Sequence, residues 1–487
     1  MRISPVNFNV SCTVKTESGQ SLLISKELVI NEKMKISRQI SEYVNSIDYG
    51  DVPDTSIKNI NRLILDTLGC GIGAYGEPTI TKARNAIKGM KGGRSTVLGT
   101  AIKTEPEIAA FVNGAMTRYF DFNDTYDSKE FSHPSDNIMP MLAVAESEGR
   151  NGRDAILACL LAYEIQARLA DSANLWKRGW DHVIYGLVSV SASASRLMRL
   201  DDDKTEQAIN IALNSHLVMR QVRAGMLSEW KAFAFSDVAR NAIFSARLAR
   251  EGITGPDPVF EGEMGFFNQV SGRFTFNAKR FGGLKGRFRI DKNLMKYYPA
   301  ETRAQAAIFA ALDLRRKIHS IDEIASVEIG AGEATVKVIG SGAEKWKPET
   351  KETADHSIPY IVAAALIDGG VGIETFERKR FEDRTTVEFM KRIKVNEIKK
   401  YTSLFNKGGT VNAASLRIVM KNGGVLYKEV LYSKGHWKNP MSNKEIEEKF
   451  RKLALRKLSE PKTNKAISMV WNLDKLKDIG LLFKEFC

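Results

Sequence analysis

Apolar positions recur with a helical period through the first half of the chain. Ile57, Ile60, Ile64 and Leu68 fall three or four residues apart, the spacing that lines one face of a helix. The same rhythm predicts helices over 109–120, 138–148, 154–170, 187–200, 205–216 and 232–251. Thr104-Glu105-Pro106-Glu107 is a start signal for the first of these. The run 189–195 holds only serine, alanine and valine, which predicts a helix packed closely on its neighbours. At 253–258 a glycine and two prolines break the pattern, as a linker does.

Beyond the linker the period changes. Helices are predicted over 300–317, 357–367 and 385–392, with a strand over 325–329. The stretches 415–420 and 425–431 flank Asn422-Gly423, a pair that supplies the positive φ a tight hairpin needs. Ser442 and Glu445 form a capping box that returns the chain to helix. The fold class expected is mainly α, a large all-helical domain with a smaller α+β lid inserted before the C-terminal helices. The boundaries read as 1–35, an appendage whose alternating residues suggest a strand pair; 36–272, helical; 273–432, the lid; and 433–487, helical again. A chain of 487 residues exceeds what one core usually serves.

Composition narrows the class. A hydrophobic content of 43% with 27% charged residues describes a water-soluble globular chain, and no apolar run approaches membrane-spanning length. The first ten residues lack the charged-then-apolar order of a secretory signal, so the expected location is cytoplasmic. Cys12, Cys70, Cys159 and Cys487 are scattered, which supports neither a disulfide framework nor a zinc or iron–sulfur cage; no metal and no cofactor are expected. Gly71-Ile72-Gly73-Ala74-Tyr75-Gly76 matches a dinucleotide fingerprint. It follows a helix rather than a strand, however, and no acidic residue follows at the needed distance. Close helix packing explains it better than NAD. The net charge of +14 fits a solvated surface or attraction of small polyanions. No module of interleaved basic and aromatic residues argues for nucleic acid.

The densest polar constellation is Asp121-Phe122-Asn123-Asp124-Thr125 followed by Ser132-His133-Pro134-Ser135-Asp136-Asn137. If the preceding helix runs on, Asp121 and Thr125 share a face one turn apart. His133 is expected extended, because Pro134 disfavours helix before it. Ser135-Asp136-Asn137 reads as a helix cap whose free backbone N–H groups would receive an anion. The alternative is an ordinary capped loop between core helices.

This wording resembles the MmgE/PrpD family of metal-free 2-methylcitrate dehydratases and cis-aconitate decarboxylases. Four further segments carry the likeness in order: Gly179-Trp180-Asp181-His182, Glu229-Trp230-Lys231-Ala232, Tyr298-Pro299-Ala300-Glu301, and Thr353-Ala354-Asp355-His356-Ser357-Ile358-Pro359-Tyr360. The resemblance runs from about 40 to 450. It implies active-site roles for Asp121, Thr125, His133, His182, Lys231 and Tyr360, a small tricarboxylate substrate, and a homodimer built on the helical domain. Three departures stand out. Asn123 replaces an aspartate, the loop 126–132 is longer than in the decarboxylases, and Glu301 stands where the decarboxylases carry histidine, which argues against decarboxylation.

The chemistry implied is removal of a tertiary hydroxyl and of a weakly acidic proton α to a carboxylate. It needs a base, cations around the enolate-like charge, and an acid for the departing hydroxyl. The expected catalytic set is Asp121 with His133 for proton handling, Lys231 and His182 as carboxylate partners, and Tyr360 as a lid-borne donor. Thr125, Ser135, His356 and Glu301 are expected to bind substrate. Each has a plainer reading: a core histidine for His182, a core tyrosine for Tyr360, a first-turn acid for Glu301. The expected activity is 2-methylcitrate dehydration to 2-methyl-cis-aconitate in propionate catabolism. The rivals are cis-aconitate decarboxylase, an epimerase on the same fold, and a non-catalytic tricarboxylate-binding protein.

Overall fold

The computed structural model describes residues 34–90, 92–406 and 411–487. The strand pair expected in the N-terminal appendage falls outside them. Eight long helices build the first core: α1 (Ile36–Ser46), α2 (Asp54–Gly73), α3 (Pro106–Tyr119), α4 (Ile138–Ser147), α5 (Gly152–Ser172), α6 (Tyr185–Leu197), α7 (Asp202–Ser215) and α8 (Ala234–Arg250). The small-residue helix is α6. Its residues from Tyr185 to Ser195 are all buried, and it packs among α5, α7 and α8 within one subunit.

The chain returns to this core at its end through α12 (Asn443–Ala454) and α13 (Glu460–Trp471). The α12 capping box forms as the sequence predicts, Ser442 and Glu445 bonding reciprocally. Helix α12 lies against α2, and the glycines near the false dinucleotide motif explain how. A Cβ on Gly69 would stand 3.0 Å from the Phe450 ring, and one on Gly73 3.0 Å from Leu453. These glycines let two backbones approach; the helix C-terminus falls at Gly73.

The second core is separate. It gathers α9 (Gln305–Arg315), α10 (Ile358–Asp368) and α11 (Arg384–Met390) with strands β3 (Ile324–Ala331), β4 (Ile393–Glu397), β5 (Ala414–Met420) and β6 (Val425–Val430). The sheet order is β4-β3-β5-β6. Only β4 runs parallel to its neighbour, with Val327 opposite Ile393. The hairpin β5–β6 turns where expected, with Gly423 at φ +85°. Strand β4 was not predicted: its Ile-Lys-Val-Asn-Glu sequence lies in a basic run and buries little besides Ile393. Two short strands, β1 (Tyr126–Asp127) and β2 (Phe131–Ser132), form a hairpin beside the first core.

The domain boundary moves. Residues placed with the lid from 273 onward pack instead on the first core through Phe281, Phe288, Ile290 and Met295; the second core begins at Ala300. The linker motif breaks the helical rhythm, but burial of these apolar side chains decides which core receives the segment. Among the described residues, no helix is long and apolar enough to cross a membrane.

Candidate active site

Helix α3 opens on Pro106, whose missing N–H costs nothing at the first helical position. It ends at Tyr119, earlier than an Asp121–Thr125 helical face requires. Asp121 instead adopts φ +49°, a conformation that aspartate visits more readily than most residues. Asp121 and Thr125 therefore do not share a helix face. The reversal sets the Asp121 carboxylate against Arg118 of the last turn of α3, Nη2 to Oδ1 at 3.0 Å.

Three cations converge on that carboxylate. Lys296, fully buried, donates to the Asp121 carbonyl at 2.7 Å and to Oδ1 at 2.9 Å. Lys231, in the short turn Glu229–Ala232 before α8, lies 3.6 Å from Oδ2. Lys231 also donates to Asp355 at 3.1 Å and lies 3.2 Å from His356 Nδ1. The other Asp355 oxygen accepts from Lys351 at 3.3 Å. Burial alone would raise the Asp121 pKa; Lys296, Lys231 and Arg118 outweigh it and hold the group well below the usual carboxylate range. Asp355 is likewise held low, its burial overcome by Lys231 and Lys351. Asp121, Asp355 and His356 bring donor atoms within 4.8 Å of one another, a spacing that a cation can use. Lys231 already reaches all three, so the set fits an ammonium that lies among them.

A second wall meets this ionic floor. His133 is extended, at φ −123° and ψ 79°, as Pro134 dictates. Its Nδ1 lies 2.8 Å from the Asp124 carbonyl. A carbonyl only accepts, so Nδ1 carries the proton and Nε2 the lone pair. Asp124 accepts from Ser135 N–H at 3.1 Å and from the Tyr163 hydroxyl at 2.8 Å. The His182 ring stands 5.5 Å from that of His133, and Phe131 is edge-on to His133 at 5.0 Å. Among the described residues, neither ring nitrogen of His182 makes a hydrogen bond, although Nδ1 lies 3.4 Å from Asp181. Burial, then Arg118 and Lys296, push the His133 pKa well down. Burial, opposed by Asp181, takes His182 down to about 3. Both rings are neutral at physiological pH.

Beneath the floor, Asn123 donates to Ser135 Oγ at 2.8 Å and to Asp136 at 2.7 Å, while its carbonyl accepts from Arg118. An aspartate here has no proton to donate and adds a charge beside Asp136. Asp136 is already pushed up to about 7, by burial that Arg118 only partly offsets. The asparagine departure is thus satisfied within the fold.

Floor and wall border one cavity of about 1030 Å³. Asp121, His133, His182, His356 and Glu301 line it, and Lys231 stands directly behind Asp121 and His356. Glu301 caps the turn Thr302–Ala304 and pairs with Arg303 at 2.6 Å.

The structure corrects three expectations. Tyr360 is fully buried in the second core, between Phe376 and Phe381, and its hydroxyl donates to the Thr375 carbonyl. It does not line the cavity, because the apolar face of α10 turns it inward. Thr125 and Ser135 also lie off the cavity: Thr125 pairs with Leu294 as a strand-like bridge, and Ser135 supports Asp124 and Asn123. The expected anion site at 135–137 is closed, since the Ser135 N–H is taken by Asp124 and the Asp136 N–H by the His133 carbonyl.

Arg118, Lys296, Arg303, Asp355 and Lys345 were not singled out from the sequence. Lys296 had a usable signal: it stands among Leu294, Met295, Tyr297 and Tyr298, and a lysine buried by such neighbours must find an anion. Asp355 lies inside the quoted motif beside His356.

Two family models match the chain, the MmgE/PrpD N-terminal domain over residues 38–279 and the MmgE/PrpD C-terminal domain over 298–475. Among curated relatives, 2-methylcitrate dehydratase of Cupriavidus necator is 30% identical over 394 residues, covering 77% of this chain and 80% of that protein. Cis-aconitate decarboxylase of Homo sapiens is 27% identical over 463 residues, covering 92% and 93%. 2-Methylcitrate dehydratase of Escherichia coli K12 is 27% identical over 435 residues, covering 83% and 87%. The junction between the two family models falls where the first core gives way to the second. With both domains matched in order, the chain belongs to the MmgE/PrpD family.

Proposed function

We propose that this protein is a hydro-lyase that dehydrates 2-methylcitrate to 2-methyl-cis-aconitate, without a metal, as a homodimer in propionate breakdown. The observation that carries this reading is the pairing across one cavity of a cationic, ionised floor with a neutral histidine whose free nitrogen is Nε2. The substrate's carboxylates meet Lys296 and Arg118, which line the cavity, with the charge of Lys231 behind Asp121. His133 Nε2 takes the proton α to a carboxylate. The resulting enolate-like charge is stabilised by the same buried cations, where the low dielectric strengthens their field. The tertiary hydroxyl leaves as water with the Nε2 proton of a protonated His356, which lines the cavity and whose Nδ1–H is held by Asp355; the substrate's negative charge favours that protonated form. One C–H and one C–O bond break, one C=C forms, and one water is released.

His133 is a weak base in the empty site. A substrate carrying three negative charges offsets the effect of Arg118 and Lys296 and raises its pKa toward neutrality. Asp121 is held too firmly by three cations to exchange protons, so its role is to hold those cations in place rather than to share in the transfer.

Glu301 favours dehydration over decarboxylation, because its charge is committed to Arg303 and to the turn it caps. Absorbance of the product enoate should rise when 2-methylcitrate is added to chelator-treated protein, with no carbon dioxide released from cis-aconitate. His133→Asn should lower kcat about 100-fold or more, the usual weight of a positioned base. Carbon dioxide evolution without enoate formation reverses the assignment to decarboxylase. Tight tricarboxylate binding with no turnover reduces the protein to a binding module.

A further inference from the structure

The buried cations that line the cavity are not alike. Arg118 and Lys296 both pair with Asp121, and Arg303 pairs with Glu301. Lys345 differs. Only 7% of its side chain is exposed, yet among the described residues its ammonium makes no hydrogen bond, and its nearest carboxylate is Glu344 at 3.9 Å. Glu344 is itself about one-third exposed, at 36%, so water screens much of that contact.

Lys345 is fixed where it stands. Its carbonyl accepts from the hydroxyl of Ser357, which caps α10 immediately after Asp355 and His356. The turn that carries the lysine is therefore tied to the turn that carries two floor residues. Burial pulls the Lys345 pKa below the ordinary lysine value; Glu344 opposes this and Lys231 deepens it. The ammonium opens on the cavity, and an anion entering there is the partner the fold leaves open for it.

The charge count of the floor sharpens this. Asp121 and Asp355 face Arg118, Lys296, Lys231 and Lys351, two carboxylates against four cations. That leaves the floor with an excess of positive charge, which Arg118 and Lys296 present to the cavity. Glu301 and Arg303 cancel. Lys345 adds a cation on the cavity wall that no hydrogen bond commits.

We propose that Lys345 is a specificity-determining residue that binds the third carboxylate of the substrate and makes this site prefer tricarboxylates to dicarboxylates. The inference rests on the reading of the cavity as a polycarboxylate site.

Calorimetric titration tests it with two non-reactive probes that differ by one carboxylate, tricarballylate and glutarate. Wild-type protein should bind tricarballylate at least about tenfold more tightly, the effect of one hydrogen bond to a charged group. Lys345→Met should weaken tricarballylate by about that factor and leave glutarate within about twofold. Lys345→Arg should restore most of the preference. Melting temperatures of both variants establish that they fold, and Lys345→Gln replaces Met if that variant does not. Equal weakening of both probes, or weakening of neither, overturns the role of Lys345 while leaving the polycarboxylate site intact. Wild-type protein that binds neither probe overturns the polycarboxylate reading and this inference with it.

Discussion

The two walls of the cavity are equally buried and treat charge in opposite ways. On the floor, Asp121 and Asp355 stay ionised because Lys296, Lys231, Lys351 and Arg118 surround them. On the facing wall, His133 and His182 shed their protons, with no carboxylate close enough to outweigh burial and the neighbouring arginines. Even the Asp181 contact to His182 is drained by Arg220 and Arg223, which lie 3.2 and 2.8 Å from the same carboxylate. Desolvation acts on both walls, and local stoichiometry decides the outcome. Where cations outnumber anions, carboxylates ionise and imidazoles go neutral. That is the division of labour a proton abstraction needs: fixed positive charge on one side and an uncharged base on the other.

The severest way to break this contrast is to remove a floor cation. Lys296→Met leaves Asp121 with Arg118 at 3.0 Å and Lys231 at 3.6 Å. It should destabilise the fold by about 3 kcal/mol, as loss of one partner of a buried pair does, and lower turnover at least about 100-fold as the enolate loses a stabilising charge. Urea unfolding and steady-state rates check both. An unchanged unfolding free energy would show that Lys296 does not hold the floor together.

A smaller effect separates, by pH, the histidine wall from the layer beneath the floor. The folded pKa of His182 lies near 3, below its unfolded value of 6.5. Between those values the unfolded chain binds a proton that the native state excludes. Its contribution is present above pH 6.5 and is lost as pH falls toward 3, at up to about 1.4 kcal/mol per pH unit. Asp136 has the opposite sign: its folded pKa near 7 exceeds the unfolded 3.8. The native state there keeps a proton the unfolded chain has lost, so stability drains as pH rises from about 4 to 7. His182→Gln should flatten the acid limb and Asp136→Asn the limb above pH 4, both measured by chemical denaturation across pH. Parallel profiles for the two variants would refute the contrast.

The smallest effect comes from a residue on neither wall. Tyr360→Phe removes one hydrogen bond, to the Thr375 carbonyl. It should cost about 1 kcal/mol of stability and leave kcat and KM unaltered. A fall in kcat without a fall in melting temperature would return Tyr360 to the mechanism.

Local patterns carried far in this chain. Apolar spacing marked most of the helices of the first core, Asn422-Gly423 marked the hairpin, and Ser442 with Glu445 marked the return to helix. Pro134 set the backbone of His133. These features depend on residues within a turn or two of each other, and the chain states them directly. The family motifs likewise pointed to Asp121, His133, His182, His356 and Lys231, all of which gather at one cavity.

What the sequence by itself determined is therefore the helical scaffold, the inserted α+β unit and the kinds of residue the site uses. Only the tertiary structure decided which way each side chain faces and which charges meet. It ended α3 at Tyr119 and reversed the chain at Asp121, it turned Tyr360 into the second core, and it moved the segment before Ala300 onto the first. It also brought Lys296 to Asp121 across 175 residues of sequence and Lys231 to Asp355 across 124. Burial and ion pairing depend on distance in space, and a period or a motif measures distance only along the chain.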